Sequence, residues 1–334
     1  MITTTVTARG ATVTTRGVVA LAALVAGFVA APAQAQDFPA RELRTICNYA
    51  PGSGADIMVR FYSDQLSKLA GKPVIVENKP GANGQIANDF VAKSKPDGYT
   101  LLITPVSSTL TSAPYLFKAL TYDPAKDFAA VTTLATLAFV ISVDAAKPIK
   151  SVSQLVSFLK SKPNHGFFGA TSNSGLIAGE LFKQGAGLNT TYVPYKANPN
   201  ALADLVGGDL DFIVFDSTWS LQQQTGGRTR IVAATSARRT SALSDVPTLA
   251  ELGFGDVDVS PWWGVVVPAG TPPAVVARLA GWFNRITASD EAKQFLSRSA
   301  FDPFPGSPES MSALMKTDAE RWARYVKAAK IEPQ

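Results

Sequence analysis

The sequence predicts a two-domain α/β protein built on parallel, doubly wound sheets. Three strand-loop-helix units follow one another between Leu43 and Thr109, an order that builds a parallel sheet whose ligands gather beyond the carboxyl ends of its strands. The same order returns from Phe167 to Gly185. The length, 334 residues and about 299 once residues 1–35 are set aside, favours two cores over one.

Residues 1–35 read as an export signal. Arg9 and Arg16 are its only charges, Gly17 to Ala31 is apolar apart from its glycines, and Ala33-Gln-Ala35 supplies the small residues for cleavage after Ala35. A transmembrane anchor is the rival reading, but the apolar run of 15 residues is short of the roughly 20 that a bilayer requires. Cleavage removes two of 31 basic and none of 26 acidic side chains, leaving a net charge of +3. Such a balance gives no argument for nucleic acid or a membrane surface. One cysteine, Cys47, and one histidine, His165, exclude an internal disulfide and a Cys/His zinc cluster and leave His-based triads little room. Cys47 reads as a buried small hydrophobe on the first strand, and His165 as a solvated turn residue.

The first unit is the strand Leu43 to Cys47, the turn cluster Tyr49-Ala-Pro-Gly-Ser-Gly-Ala-Asp56 and a helix from Ile57 to Leu69. Glycines before a helix let a ligand approach the main chain, and the first N–H groups of that helix can hold an anion. Asp56 is placed to be the N-cap or a first-turn acid. The second unit is the strand Lys72 to Glu77, the turn Asn78 to Gly84 and a helix from Gln85 to Lys93. The third opens with the strand Thr100 to Thr104 and continues into the polar stretch Pro105 to Thr109.

Phe128 to Val143 is apolar and too long for one strand, and is expected to cross between domains. A helix capped by Ser151 runs to Lys160; Phe167 starts a strand, Ala170-Thr-Ser-Asn-Ser174 is its loop, and Leu176 to Gly185 is helical. Strands are expected at Tyr192 to Lys196, Leu210 to Phe215 and Ile231 to Thr235, and helices at Pro199 to Val206 and Val246 to Leu252. Asp258 to Pro268, with Trp262 and Trp263, reads as the returning strand, with the tryptophans at the hinge. Helices follow at Val275 to Ala288 and, as one or two pieces, Pro308 to Lys330. No low-complexity linker separates the domains.

Pro51-Gly-Ser-Gly-Ala-Asp56, Pro73-Val-Ile-Val-Glu-Asn-Lys-Pro-Gly-Ala-Asn-Gly84 and Pro96-Asp-Gly-Tyr-Thr-Leu-Leu102 resemble the signature of the tripartite tricarboxylate transporter receptors, or Bug proteins. The likeness continues through Ala178-Gly-Glu-Leu-Phe182, Val193-Pro-Tyr-Lys196, Asp204-Leu-Val-Gly-Gly208, Asp245-Val-Pro-Thr248 and Pro268-Ala-Gly-Thr-Pro272. It covers essentially the whole mature chain.

The resemblance implies a periplasmic receptor with a type II-like Venus-flytrap fold. One domain would be 36–138 with 260–334, and the other 139–259, the ligand lying between them. It implies a small-carboxylate ligand, delivery to a membrane permease, no cofactor or metal, and a monomer. Presentation of the ligand to a sensor kinase is the alternative role.

Carried over, it marks Tyr49, Ala50, Pro51, Gly52, Ser53, Gly54, Ala55 and Asp56 in one domain and Ala170, Thr171, Ser172, Asn173 and Ser174 in the other, with Tyr195, Lys196 and Asp216 nearby. Where the family usually has a glycine triplet, this chain has Gly52-Ser53-Gly54. Leu176 stands where a histidine is common and Ala197 where a glycine is; Leu176 makes that half of the pocket less polar and suits an apolar or aromatic far end of the ligand.

Each residue has a plainer reading. Asp56 caps its helix or touches ligand; the hydroxyls of Ser53, Thr171, Ser172 and Ser174 and the Asn173 amide form turns or a site. Lys196 is solvated or a ligand partner, Asp216 a turn former or a cleft residue, and Tyr49, Ser107 and Trp219 line the pocket or belong to the core. Glu77, Glu180 and Glu251 fall on different elements, and nothing sets two carboxylates at a glycosidase separation. No Gly-x-Ser-x-Gly, Walker or His-Glu-x-x-His sequence occurs. A noncatalytic binding protein is the expectation.

Overall fold

A computed structural model describes residues 38–254 and 257–333; the export segment lies outside the described residues. The first lobe's elements are β1 (Leu43–Cys47), α1 (Gly54–Ala70), β2 (Val74–Asn78), α2 (Gln85–Ala92), β3 (Thr100–Thr104), α3 (Ala113–Leu116) and β4 (Phe128–Thr136). The second sheet is then built from β5 (Phe139–Asp144), α4 (Val152–Lys160), β6 (Phe167–Ala170), α5 (Asn173–Gly185), β7 (Thr191–Pro194), α6 (Asn198–Gly207), β8 (Phe212–Asp216), α7 (Ser217–Thr225) and β9 (Thr229–Ala234). The chain returns with β10 (Trp262–Pro268), α8 (Pro273–Ala288), α9 (Asp290–Arg298), β11 (Asp302–Pro303) and α10 (Pro308–Ala328).

Two sheets result, in the orders β11-β4-β10-β3-β1-β2 and β7-β6-β8-β5-β9. In the first, β1 lies parallel between β2 and β3, and β10 returns antiparallel between β3 and β4. In the second, β6 lies parallel between β7 and β8, and β5 runs antiparallel between β8 and β9. Each parallel strand feeds a loop at its carboxyl end. The fold is therefore two-lobed α/β with each sheet flanked by helices.

The apolar run from Phe128 to Val143 divides into two strands, β4 for the first sheet and β5 for the second, and the chain changes sheet at Leu137 and Ala138. The return lies beside it. Leu137 N–H and the Thr136 hydroxyl both donate to the Pro261 carbonyl at 3.2 Å, and Val259 N–H donates to Thr235 O at 2.9 Å.

Other expectations need correction. The polar stretch after β3 continues as one turn of π-helix over Ser107–Thr111. The helix expected at 246–252 is a pair of turns, because Leu249 N–H is drawn to Ala234 O at 2.8 Å and Thr248 bridges to the β9 edge. Helices α7 and α9 were not expected: α7 carries little amphipathic signal, since its buried residues are Ser217, Ser220 and Gln223. The C-terminal pattern forms a single helix. Met311 of α10 joins the first lobe's core, while Trp322, Tyr325 and Val326 join the core around Phe168, Phe182 and Phe212 in the second. Among the described residues no helix is long and apolar enough to cross a membrane.

The second lobe's core explains one glycine of the family motif. Phe168 stacks on Phe212 at 5.2 Å, and a Cβ on Gly179 of α5 would lie 2.2 Å from the Phe168 ring. We expect Gly179→Ala to lower stability by about 1–3 kcal/mol through overpacking, read from the urea midpoint; a wild-type midpoint would show that Phe168 can move aside.

Candidate functional site

The first loop joins β1 to α1. Ser53 is extended (φ −71°, ψ 161°) and is the N-cap, its hydroxyl accepting from Asp56 N–H at 3.2 Å. Asp56 is thus not the cap but the third residue of the helix. Its buried carboxylate turns back on its own loop, accepting from Gly52 N–H and Arg60 Nε at 2.8 Å and from Asn78 Nδ2 at 2.7 Å. Asn78 also donates to Tyr49 O at 3.0 Å. The Arg60 bond, then those from Asn78 and Gly52, outweigh desolvation and hold the carboxyl at about 2. Asp56 therefore fixes the loop and has no oxygen free of internal partners. The N–H groups of Gly54 and Ala55 have no partner among the described residues.

The second loop repeats this geometry. Ser172 is extended (φ −140°, ψ 159°) and caps α5, accepting from Gly175 N–H at 3.2 Å. The N–H groups of Asn173 and Ser174 are again left without partners among the described residues. Thr171 donates to Asn198 Oδ1 at 2.7 Å, tying the loop to the start of α6, a helix whose Ala197 provides no side-chain cap. Each loop thus offers two adjacent main-chain donors at a helix N-terminus, where anions are stabilised by about 0.3–1 kcal/mol when exposed and more when desolvated.

The family described as "Tripartite tricarboxylate transporter family receptor" matches residues 58–331. The chain belongs to this family. It is 29% identical over 301 residues to Protein BugT of Bordetella pertussis, covering 90% of this chain and 92% of that one. Among solved structures it is similar to Rpa4515 of R. palustris with adipate, with 30% identity, a TM-score of 0.75 and coverage of 89% and 100% of the two chains. It is also similar to MatC from Rhodopseudomonas palustris with bound malate, with 26% identity, a TM-score of 0.70 and coverage of 86% and 100%. The protein is a solute-binding receptor and not an enzyme. Accordingly, Glu77, Glu180 and Glu251 are each taken up in separate ion pairs, with Arg44 and Lys79, with Lys183, and with Arg239.

The remaining residues of the receptor divide into those at the loops and those held elsewhere. Asp216 ends β8 beside the first crossing, paired with Phe139, and caps α7 by accepting from Trp219 N–H at 2.9 Å. Desolvation raises its carboxyl above the ordinary value despite that bond. Tyr49 is 36% exposed, its ring tilted towards Trp263 at 6.4 Å between centroids. Ala50, Pro51 and Lys196 are exposed, and Lys196 has no ion-pair partner among the described residues.

Ser107 is buried, its hydroxyl accepting from Trp322 Nε1 at 3.2 Å in a cluster with Asp318 and Thr111. Its side chain serves the packing of α10. The Tyr195 hydroxyl is occupied by Asp204, and desolvation followed by that carboxylate pushes it up to about 12. Its ring covers the spot where Gly169 has no side chain. Trp219 stacks edge-on against Phe215 at 5.1 Å. Leu176 packs against the second lobe's core, so it says little about the polarity of the loop.

Sequence reasoning missed Asn48. This residue is 4% exposed at the end of β1, and neither polar atom of its amide has a protein partner. It lies against Gly84, where a Cβ would be 2.6 Å from Asn48 Nδ2, at the start of α2, which also has no side-chain cap. A polar residue ending a parallel strand was the available signal.

Asp56 gives a sign to the acid response. Its carboxyl is lowered from 3.8 to about 2, so its contribution is complete above the unfolded value and is lost as pH falls towards 2. We expect Asp56→Ala to cost about 1–3 kcal/mol at neutral pH, from the loss of charged hydrogen bonds. The gap to wild type should close below about pH 2; a gap of constant size in urea titrations across that range would assign the effect to packing.

Proposed function

We propose that the receptor captures a small organic carboxylate between the loops Tyr49–Asp56 and Ala170–Ser174 and delivers it to the permease of a tripartite tricarboxylate transporter. The observation that carries this is the matched pair of serine-capped helix starts, with Gly54 and Ala55 N–H on one side and Asn173 and Ser174 N–H on the other. A carboxylate meeting both pairs gains charge-assisted hydrogen bonds without a buried cation. The adipate and malate of the two similar structures support the ligand class. The lobes are 36–138 with 260–334, and 139–259; the mature chain begins after Ala35, acts in the periplasm and is monomeric. Asp216, next to a crossing and with its carboxyl raised above the ordinary value by desolvation, lines the ligand's side of the second lobe.

A thermal-shift screen of residues 36–334 with adipate, malate, citrate, terephthalate and aspartate tests the class. A ligand at 100 times its dissociation constant adds about 2.7 kcal/mol of stability; silence across all five would overturn the carboxylate reading.

Gly54→Val tests the mode. A Cβ at Gly54 meets no protein atom within 4 Å, so the unliganded midpoint should stay near wild type, whereas the branched side chain stands over the donors and should remove the ligand shift. A full shift retained in Gly54→Val would sink the first-loop donors.

A further inference from the structure

Helix α7 presents a second face that the cleft does not use. Ser217, Ser220 and Gln223 are turned to the sheet, while Thr218, Leu221, Gln222 and Thr225, at i, i+3, i+4 and i+7, line a groove of about 370 Å3. The opposite wall comes from the elements that follow the first lobe's α8. It consists of Ser297 and Arg298 at the end of α9 and Ala300 beyond it. Ala242, in the turn after β9, completes the apolar part.

The walls are joined at their edge. Ser217 Oγ donates to Ala300 O at 3.4 Å, Thr218 Oγ1 donates to Ser299 O, and Ser241 N–H donates to the Asp302 carboxylate at 3.1 Å.

We propose that this groove is a second ligand site, for a small amphipathic oxyanion, an organic carboxylate or phosphate with a short apolar body. Arg298 is the only charged residue of the lining and has no carboxylate partner among the described residues. Its planar fork suits two oxygens of one anion. Gln222, Thr225 and Ser297 add hydrogen-bonding groups, and Leu221, Ala242 and Ala300 offer the body an apolar surface. The volume lies within the range of small-molecule pockets, about 300–1,000 Å3.

An occupant would touch α7, whose cap Asp216 stands at the first crossing, and the end of α9, which follows the first lobe's α8. It would bind one arrangement of the lobes better than others and shift the population towards it. This site does not depend on the carboxylate reading of the loops.

Calorimetric titration of residues 36–334 with phenyl phosphate tests it, alongside Arg298→Ala, Ala242→Trp and Gly54→Val. Binding to one site should be weakened about tenfold or more by Arg298→Ala, an exposed position, and by Ala242→Trp, which fills the groove, and be unchanged in Gly54→Val. Hydrogen exchange should show added protection at 217–225 and 297–302 together. No heat at millimolar probe, binding lost in Gly54→Val but intact in Arg298→Ala, or protection confined to the two loops would each overturn the proposal.

Discussion

The compensated charge of Asp56 is the constraint on which the first loop depends. A bare carboxylate two residues into a helix would occupy the positive end of that helix and repel an anionic ligand. Here Gly52, Arg60 and Asn78 take up both oxygens, so the acid organises the backbone and adds little net charge to the site. Arg60 lies one turn along α1, which places a guanidinium next to the carboxylate and leaves the helix start itself free of cations. Ser53 caps with a neutral hydroxyl. The donors that remain, Gly54 and Ala55, are fixed in direction before any ligand arrives, and preorganised donors lose little freedom on binding.

The second lobe reaches the same end with different parts. Ser172 copies Ser53, but no acid folds back beneath it; Thr171 is tied instead to Asn198, so two helix starts are held together. The two lobes are linked by crossings that hydrogen-bond to each other through Pro261, and by α10, which contributes to both cores. Ser107 and Trp322 meet inside this third link. Ser107, a candidate pocket residue in the sequence, thus serves the connection between the lobes.

The strands and both loops were legible in the sequence because their signals are local: β-prone triplets, a serine cap, and turn residues before an amphipathic run. What escaped depends on contacts made later in the chain. Helix α7 hides a polar face under a sheet, so no periodic apolar pattern marks it. The 246–252 segment has helical composition, but the exposed edge of β9 claims its Leu249 N–H. Asp56 was correctly placed in the first turn and Arg60 is its i+4 neighbour on the same helix, yet its third partner, Asn78, comes from a strand that only the fold brings alongside. Asn48 carried only the signal of a polar residue at a strand's end; its burial against Gly84 is made by the fold.

These features explain why the family is easy to read and its ligand is not. Main-chain donors at serine-capped helix starts recognise a carboxylate whatever is attached to it, since the N–H groups carry no side-chain code. Discrimination among carboxylates must therefore come from what borders the donors. In this receptor the candidates are a tilted Tyr49 over Trp263, an unpartnered Asn48 amide and an Asp216 whose carboxyl desolvation raises above its ordinary value. The first favours apolar surface, the second a hydrogen-bonding group, and the third disfavours a second negative charge close by unless a proton is shared. On the proposed mode the main-chain donors carry only the class of ligand, and Tyr49, Asn48 and Asp216 are left to discriminate within it.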